Sequence, residues 1–177
     1  KEIRIWKKIM LKMKFYMKQK VMSFVDKFTI YDEQENEAYW VEGDFFSFGK
    51  KLDLFDKDNN HKAHIHQKVL SLMPRYFIEV NGQDVAEVVK QITLFKHKYY
   101  INGYDWEVAG DFWAHEYEIY RGDYTIATIS KEWFTWGDAY GVDIVDGVDP
   151  VSVLSVVLII DAIISQTRNN GVHMVLD

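Results

Sequence analysis

The sequence predicts a mainly β fold: about twelve antiparallel strands closed into a barrel around a buried C-terminal hydrophobic helix. Three observations carry that expectation. Residues 151–164 read Val-Ser-Val-Leu-Ser-Val-Val-Leu-Ile-Ile-Asp-Ala-Ile-Ile, apolar on every side, so as a helix this run has to be buried all round. Aromatic and β-branched residues dominate a chain that is 48% hydrophobic and 16% aromatic, which favours strands and lies far from the disordered regime. The turn signals Asn81-Gly82, Asn102-Gly103 and Arg121-Gly122 lie 21 and 19 residues apart, the rhythm of repeated hairpins rather than of βαβ units.

Taken in order, strands are expected at 15–22, 25–31, 38–43, 51–56 and 61–70, with polar turns at Asp32–Glu37 and Asp56–Asn60. Arg75–Val80 alternates into Asn81-Gly82, and Asp84–Val89 leads away. An Asn-Gly pair suits a two-residue hairpin because both central residues take positive φ. Lys98–Ile101 and Tyr104–Val108 flank the second such pair. His115–Tyr120 turns at Arg121-Gly122 and returns through Asp123–Ser130, and Tyr140–Val145 is the last strand. A barrel of about eight strands is filled by side chains, whereas more strands leave a hole. A helix about 10–12 Å across plugs it. Asp149 and Pro150 are helix-start signals, and Asn169-Asn170-Gly171 reads as a stop.

At 177 residues a single domain is expected over residues 13–177, with residues 1–12 an N-terminal extension. The net charge is −6, yet residues 1–12 carry Lys1, Arg4, Lys7, Lys8 and Lys12 against Glu2 alone. The remainder is therefore strongly acidic, a poor general partner for nucleic acid. With no cysteine, a disulfide framework, a thiolate zinc site and a cysteine nucleophile are all excluded. The run at 151–164 falls short of the ~20 residues that span a bilayer, so no transmembrane span is expected. A cytoplasmic location follows as the expectation, at most peripheral at the membrane.

Candidate chemistry is sparse. His61, His64 and His66 form the only histidine cluster; on a regular strand His64 and His66 share a face and His61 points the other way. Two imidazoles can begin a metal site, but no third or fourth ligand stands nearby in sequence, so a solvated strand face is expected. His97, His115 and His173 have no motif around them. Glu116 with Glu118, and Glu42 with Asp44, share strand faces, but acid–base chemistry needs contrasting environments that spacing does not supply. Asp138, Asp143, Asp146 and Asp149 are three to five residues apart, without the alternation of a dedicated calcium loop. Asp161 reads as a hydrogen-bonded core carboxylate, since a buried unpaired charge is costly. Serines lack a nucleophile elbow, and no glycine-rich phosphate loop is present. As a helix, residues 1–17 would gather Trp6, Ile9, Met10, Met13 and Met17 on one side and lysines elsewhere, as membrane-surface helices do. Yet Met13 opens Met-Lys-Phe-Tyr-Met-Lys-Gln-Lys, which reads as the first strand.

The stretch Trp133-Phe134-Thr135-Trp136-Gly137-Asp138-Ala139-Tyr140-Gly141-Val142-Asp143, followed by the apolar helix with Asp161, resembles the LURP-one-related (LOR) family. So do Ser47-Phe48-Gly49-Lys50-Lys51-Leu52, the Gln67-Lys68 strand, and Tyr104-Asp105-Trp106-Glu107-Val108-Ala109-Gly110-Asp111. The likeness is to the bacterial, YxjI-like branch and covers roughly residues 13–168. It implies the fold shared by Tubby C-terminal domains and phospholipid scramblases, a twelve-stranded barrel around a hydrophobic helix. The resemblance brings no defining enzymatic activity, and no lipid-contact residue carries over from it.

The expected function is accordingly a non-catalytic intracellular binding or scaffold domain, with a protein or small molecule of unknown identity as partner and no catalytic residue, cofactor or metal. The alternative is a peripheral membrane protein that recognises anionic phospholipid or phosphoinositide. Lys50, Lys51, Lys68, Arg75, Lys96 and Lys98 are its available cations. A hydrolase or metal enzyme rests on no recognisable constellation.

Overall fold

A computed structural model describes residues 12–18, 27–44, 49–71, 74–91, 98–134 and 137–173. Within them the chain forms β1 (Lys12–Lys18), β2 (Lys27–Asp32), β3 (Glu37–Asp44), β4 (Lys51–Asp56), β5 (His61–Gln67), β6 (Arg75–Val80), β7 (Gln83–Gln91), β8 (Lys98–Asn102), β9 (Trp106–Asp111), β10 (Glu116–Arg121), β11 (Tyr124–Phe134), β12 (Gly137–Val145) and α1 (Pro150–His173). Each strand pairs antiparallel with its neighbours in sequence, and β1 pairs with β12, so the sheet closes on itself. The closing seam runs from Lys12↔Val145 to Lys18↔Ala139. Closure abolishes the unpaired edges that invite aggregation.

Alternating side chains build the wall. In β4, Leu52 and Leu54 are buried between exposed or half-buried neighbours, and Ala63 and Ile65 continue the pattern in β5. These inward rows meet α1, whose residues 151–164 are all buried. The helix packs on β5, β6 and β12. Its length and composition would let Pro150–Thr167 cross a bilayer, but here the barrel wall takes the place of lipid around it.

The start of α1 follows the sequence signals. The Asp149 carboxylate accepts the Ser152 backbone N–H at 2.9 Å and its hydroxyl at 2.7 Å, and Pro150 occupies the first helical position. The stop does not follow them. Asn169, Asn170 and Gly171 lie inside α1, which continues to His173. A glycine costs a helix interior only about 1 kcal/mol, too little to end one already propagating from a packed segment.

The turns divide likewise. Asn81 and Gly82 have φ of 53° and 76°, the paired positive values of a type I′ turn. At the second site, Asn102 stays in β8 opposite Glu87, and the chain turns over Gly103–Asp105. Gly103 answers to crowding: a Cβ there would sit 2.2 Å from the Val85 carbonyl oxygen of β7. At the third, Arg121 pairs with Tyr124, so the two-residue loop is Gly122-Asp123 rather than Arg121-Gly122. The first strand begins at Lys12, one residue before Met13 and three before the span 15–22, and the rest of the basic extension lies outside the described residues.

Candidate functional site

The outer face of β4–β7 gathers the histidines with carboxylates. Successive registers set Glu42 opposite Asp53, Asp53 opposite His64, His64 opposite Glu79 and Glu79 opposite Asp84. Sequence spacing puts His61 on the other face, and the structure corrects this. The β4–β5 register shifts between Leu54 and Phe55, pairing Leu54 with Ala63 and Phe55 with His61. One residue, Lys62, is therefore extra, and such a bulge returns the preceding side chain to the same face. His61 Nε2 and His64 Nδ1 both stand 2.8 Å from Asp53 Oδ1. Burial alone would raise the Asp53 carboxyl, but the hydrogen bonds with His64 and His61 outweigh it and hold the group below its usual range.

His66 sits one step along the same face. Its ring stacks on Phe77 at 5.3 Å and on His64 at 5.6 Å, and its Nε2 lies 3.1 Å from Asp84 Oδ1. The imidazole is held below its ordinary range, first by burial and then by the charge of His64, against the pull of Asp84 and Glu79. His66, Glu79 and Asp84 present ligand atoms that all lie within 4.8 Å of one another. The two carboxylates are 13 and 18 residues from His66 in sequence. Only strand pairing brings them to it, which is why sequence spacing left the histidines without further ligands.

A second polar group lies inside the wall. Asp161 is 4% exposed; the Tyr140 hydroxyl donates to its Oδ2, and His115 Nδ1 is 3.5 Å from its Oδ1. The His115 and Tyr140 rings stack at 4.5 Å and 10°. Burial first, and the Asp161 charge second, push the Tyr140 and Tyr117 hydroxyls far above their ordinary range, so both stay protonated. Beside them Lys50, 2% exposed, donates to the Ala162 carbonyl at 2.7 Å. Lys50, Tyr140 and Asp161 come from the stretches that carry the family resemblance, so those stretches encode contacts to the central helix. Lys50 is thus no surface cation.

The remaining candidates disperse. Arg75 pairs with Glu87 at 3.1 Å and Lys98 with Glu107 at 3.5 Å, while Lys51 and Lys68 are exposed and Lys96 lies outside the described residues. Asp143 stands opposite Lys14, which binds Glu132 at 2.7 Å; Asp146 is exposed in a turn; Asp149 caps α1. The side chain of Asp138 is outside the described residues, as are those of Asp44 and His173, and all of His97. The three described aspartates of that segment thus stand in separate settings: a strand pair, an exposed turn and a helix cap. Glu116 accepts the Lys131 backbone N–H at 2.9 Å, and Glu118 accepts the Tyr120 hydroxyl. Beside them a polar groove of about 380 Å³ opens on the outer wall, lined by Lys98, Glu107, Ala109, Tyr120, Gly122 and Asp123.

The family model described as LURP-one-related matches residues 13–161. The chain is 37% identical over 157 residues to the uncharacterized protein YxjI of Bacillus subtilis, covering 89% of this chain and 97% of that one. A solved structure of an Arabidopsis thaliana protein is 17% identical with a TM-score of 0.63, over 87% of this chain and 92% of that one, a likeness of fold.

Proposed function

The chain belongs to the LURP-one-related family, and on that premise we propose that it is a non-catalytic binding or scaffold domain that meets its partner on the outside of the barrel. One observation carries this reading: the barrel's interior is already occupied. Residues 151–164 are buried without exception, and the inward side chains of the wall, such as Val41, Leu54, Ile78 and Val108, have no exposure at all. Barrels that hold a small molecule keep the lumen for it; here the chain's own helix fills that volume. Asp161, the most buried carboxylate among the described residues, is enclosed by Tyr140 and His115 and has no face toward a substrate. Contact with another molecule therefore falls to the outer wall, where Glu42, Asp53, His64, Glu79 and Asp84 form an unbroken polar row.

The phospholipid reading gains less support. Of its six candidate cations, Lys50 is buried and Arg75 and Lys98 are paired with acids. A surface row of carboxylates repels anionic lipid.

The test is cross-linking of the full chain in cells, followed by identification of the captured partner. Asp53→Lys with Glu79→Lys should abolish capture, while Lys131→Glu on another part of the wall should leave it intact. Capture indifferent to the double change, or reproducible hydrolysis lost on changing a clustered acid or histidine, would overturn the reading.

A further inference from the structure

We propose that His66, Glu79 and Asp84 form a surface site for a divalent transition-metal ion of the zinc class. This rests on the reading of the outer wall as the contact surface and names one ligand for it. The three residues come from three adjacent strands, β5, β6 and β7, so their backbones are fixed to one another by the sheet. Glu79 lies opposite Asp84 across the β6–β7 ladder, and His66 is the diagonal neighbour of Glu79, two residues along β5 from His64. Their ligand atoms already converge to within 4.8 Å, and one edge of the triangle, His66 Nε2 to Asp84 Oδ1, is 3.1 Å. A tetrahedral zinc with bonds near 2.1 Å draws its ligand atoms to about 3.4 Å apart, so closure asks for side-chain movements of about 1 Å. The side chains can supply that: Asp84 is exposed and Glu79 half-buried.

The donor set decides the class of ion. One imidazole with two carboxylates matches zinc and its first-row neighbours, whereas calcium and magnesium sites are built from oxygen alone. Surrounding packing holds the nitrogen ligand in place, because the His66 ring is stacked against Phe77 on one strand and His64 on its own. Asp53 and Glu42 continue the row and add negative charge that attracts a cation. Three protein ligands leave a fourth position toward solvent, where water or a group from a partner would bind.

Titration calorimetry of the untagged, chelator-treated full chain with zinc chloride tests the site. The expected result is one saturable ion per chain, with calcium unable to compete at a hundredfold excess. His66→Gln and Asp84→Asn should each weaken zinc binding at least tenfold, with metal-free melting temperatures unchanged. His61→Gln, outside the site on the same face, should leave the affinity within twofold. No saturable uptake, an affinity indifferent to His66→Gln, or an equal loss in His61→Gln would each overturn the assignment. Zinc failure alongside partner capture that still depends on Asp53 and Glu79 would sink the ion and leave the binding role standing. Zinc-dependent turnover would do the reverse.

Discussion

Asp161 sits in the middle of a run that is otherwise the most apolar in the chain, and its side chain decides how much the surrounding tyrosine and histidine are worth. Replacing it with alanine strands the Tyr140 hydroxyl in the core, which should cost about 3 kcal/mol in urea unfolding; Asp161→Asn, which still accepts that bond, should lose less than half as much. Equal losses in the two variants would mean that the site responds to the carboxylate charge, which both remove, rather than to acceptance of the Tyr140 hydroxyl. Asp53 gives a pH-dependent counterpart. Its carboxyl is held below the usual range in the folded state, so the stability it contributes is present above about pH 4 and disappears as the pH falls through its folded value. The melting-temperature gap between the wild type and Asp53→Asn should therefore narrow steadily on acidification below pH 4. The role of Asp161 was legible in advance, because a carboxylate inside a helix buried all round has to find a donor. Lys50 was not, since nothing local distinguishes it from Lys51; its acceptor lies 112 residues away.

At the level of elements, two hairpins repeat one device. Asp32 accepts the backbone N–H groups of Gln34 and Asn36, and Asp56 those of Asp58 and Asn60, each at 2.8–3.0 Å. Both carboxyls are held below their usual range, Asp32 chiefly through its bond with the Asn36 backbone and Asp56 through the Asn60 side chain. The fourth residue of each turn takes positive φ, Glu35 at 62° and Asn59 at 63°. Asparagine tolerates that conformation better than glutamate. Glu35→Asn should accordingly raise stability by about 0.5 kcal/mol, read as a shift in the urea midpoint. These turns were visible as Asp-rich, polar interruptions between strands. The bulge at Lys62, which brings His61 back beside His64, was not, because it belongs to a pairing and not to either strand. For the same reason Glu79 and Asp84 gave no local sign of approaching His66. The end of α1 was misplaced on a related ground: Asn169, Asn170 and Gly171 carry a weak local preference that a helix anchored from Val151 onward overrides.

In the whole molecule, wall and helix share a single core and stand or fall together. Leu158, with no exposure at the centre of α1, touches a closed lining that has little freedom to collapse. Leu158→Ala should cost about 3–4 kcal/mol. Near-ultraviolet and far-ultraviolet dichroism should also lose signal at the same denaturant concentration, as expected for one cooperative unit. A far-ultraviolet change that precedes the near-ultraviolet one would show the helix leaving an intact barrel, contrary to shared packing.

The order of the chain adds a constraint on how the protein is made. Every strand precedes the segment that they enclose, and the first strand waits for the twelfth before the ring can shut. While a ribosome is still producing the ring, its greasy lining has nothing to cover it. That lining stays open to solvent, and to other incomplete chains, until the final helix emerges and docks.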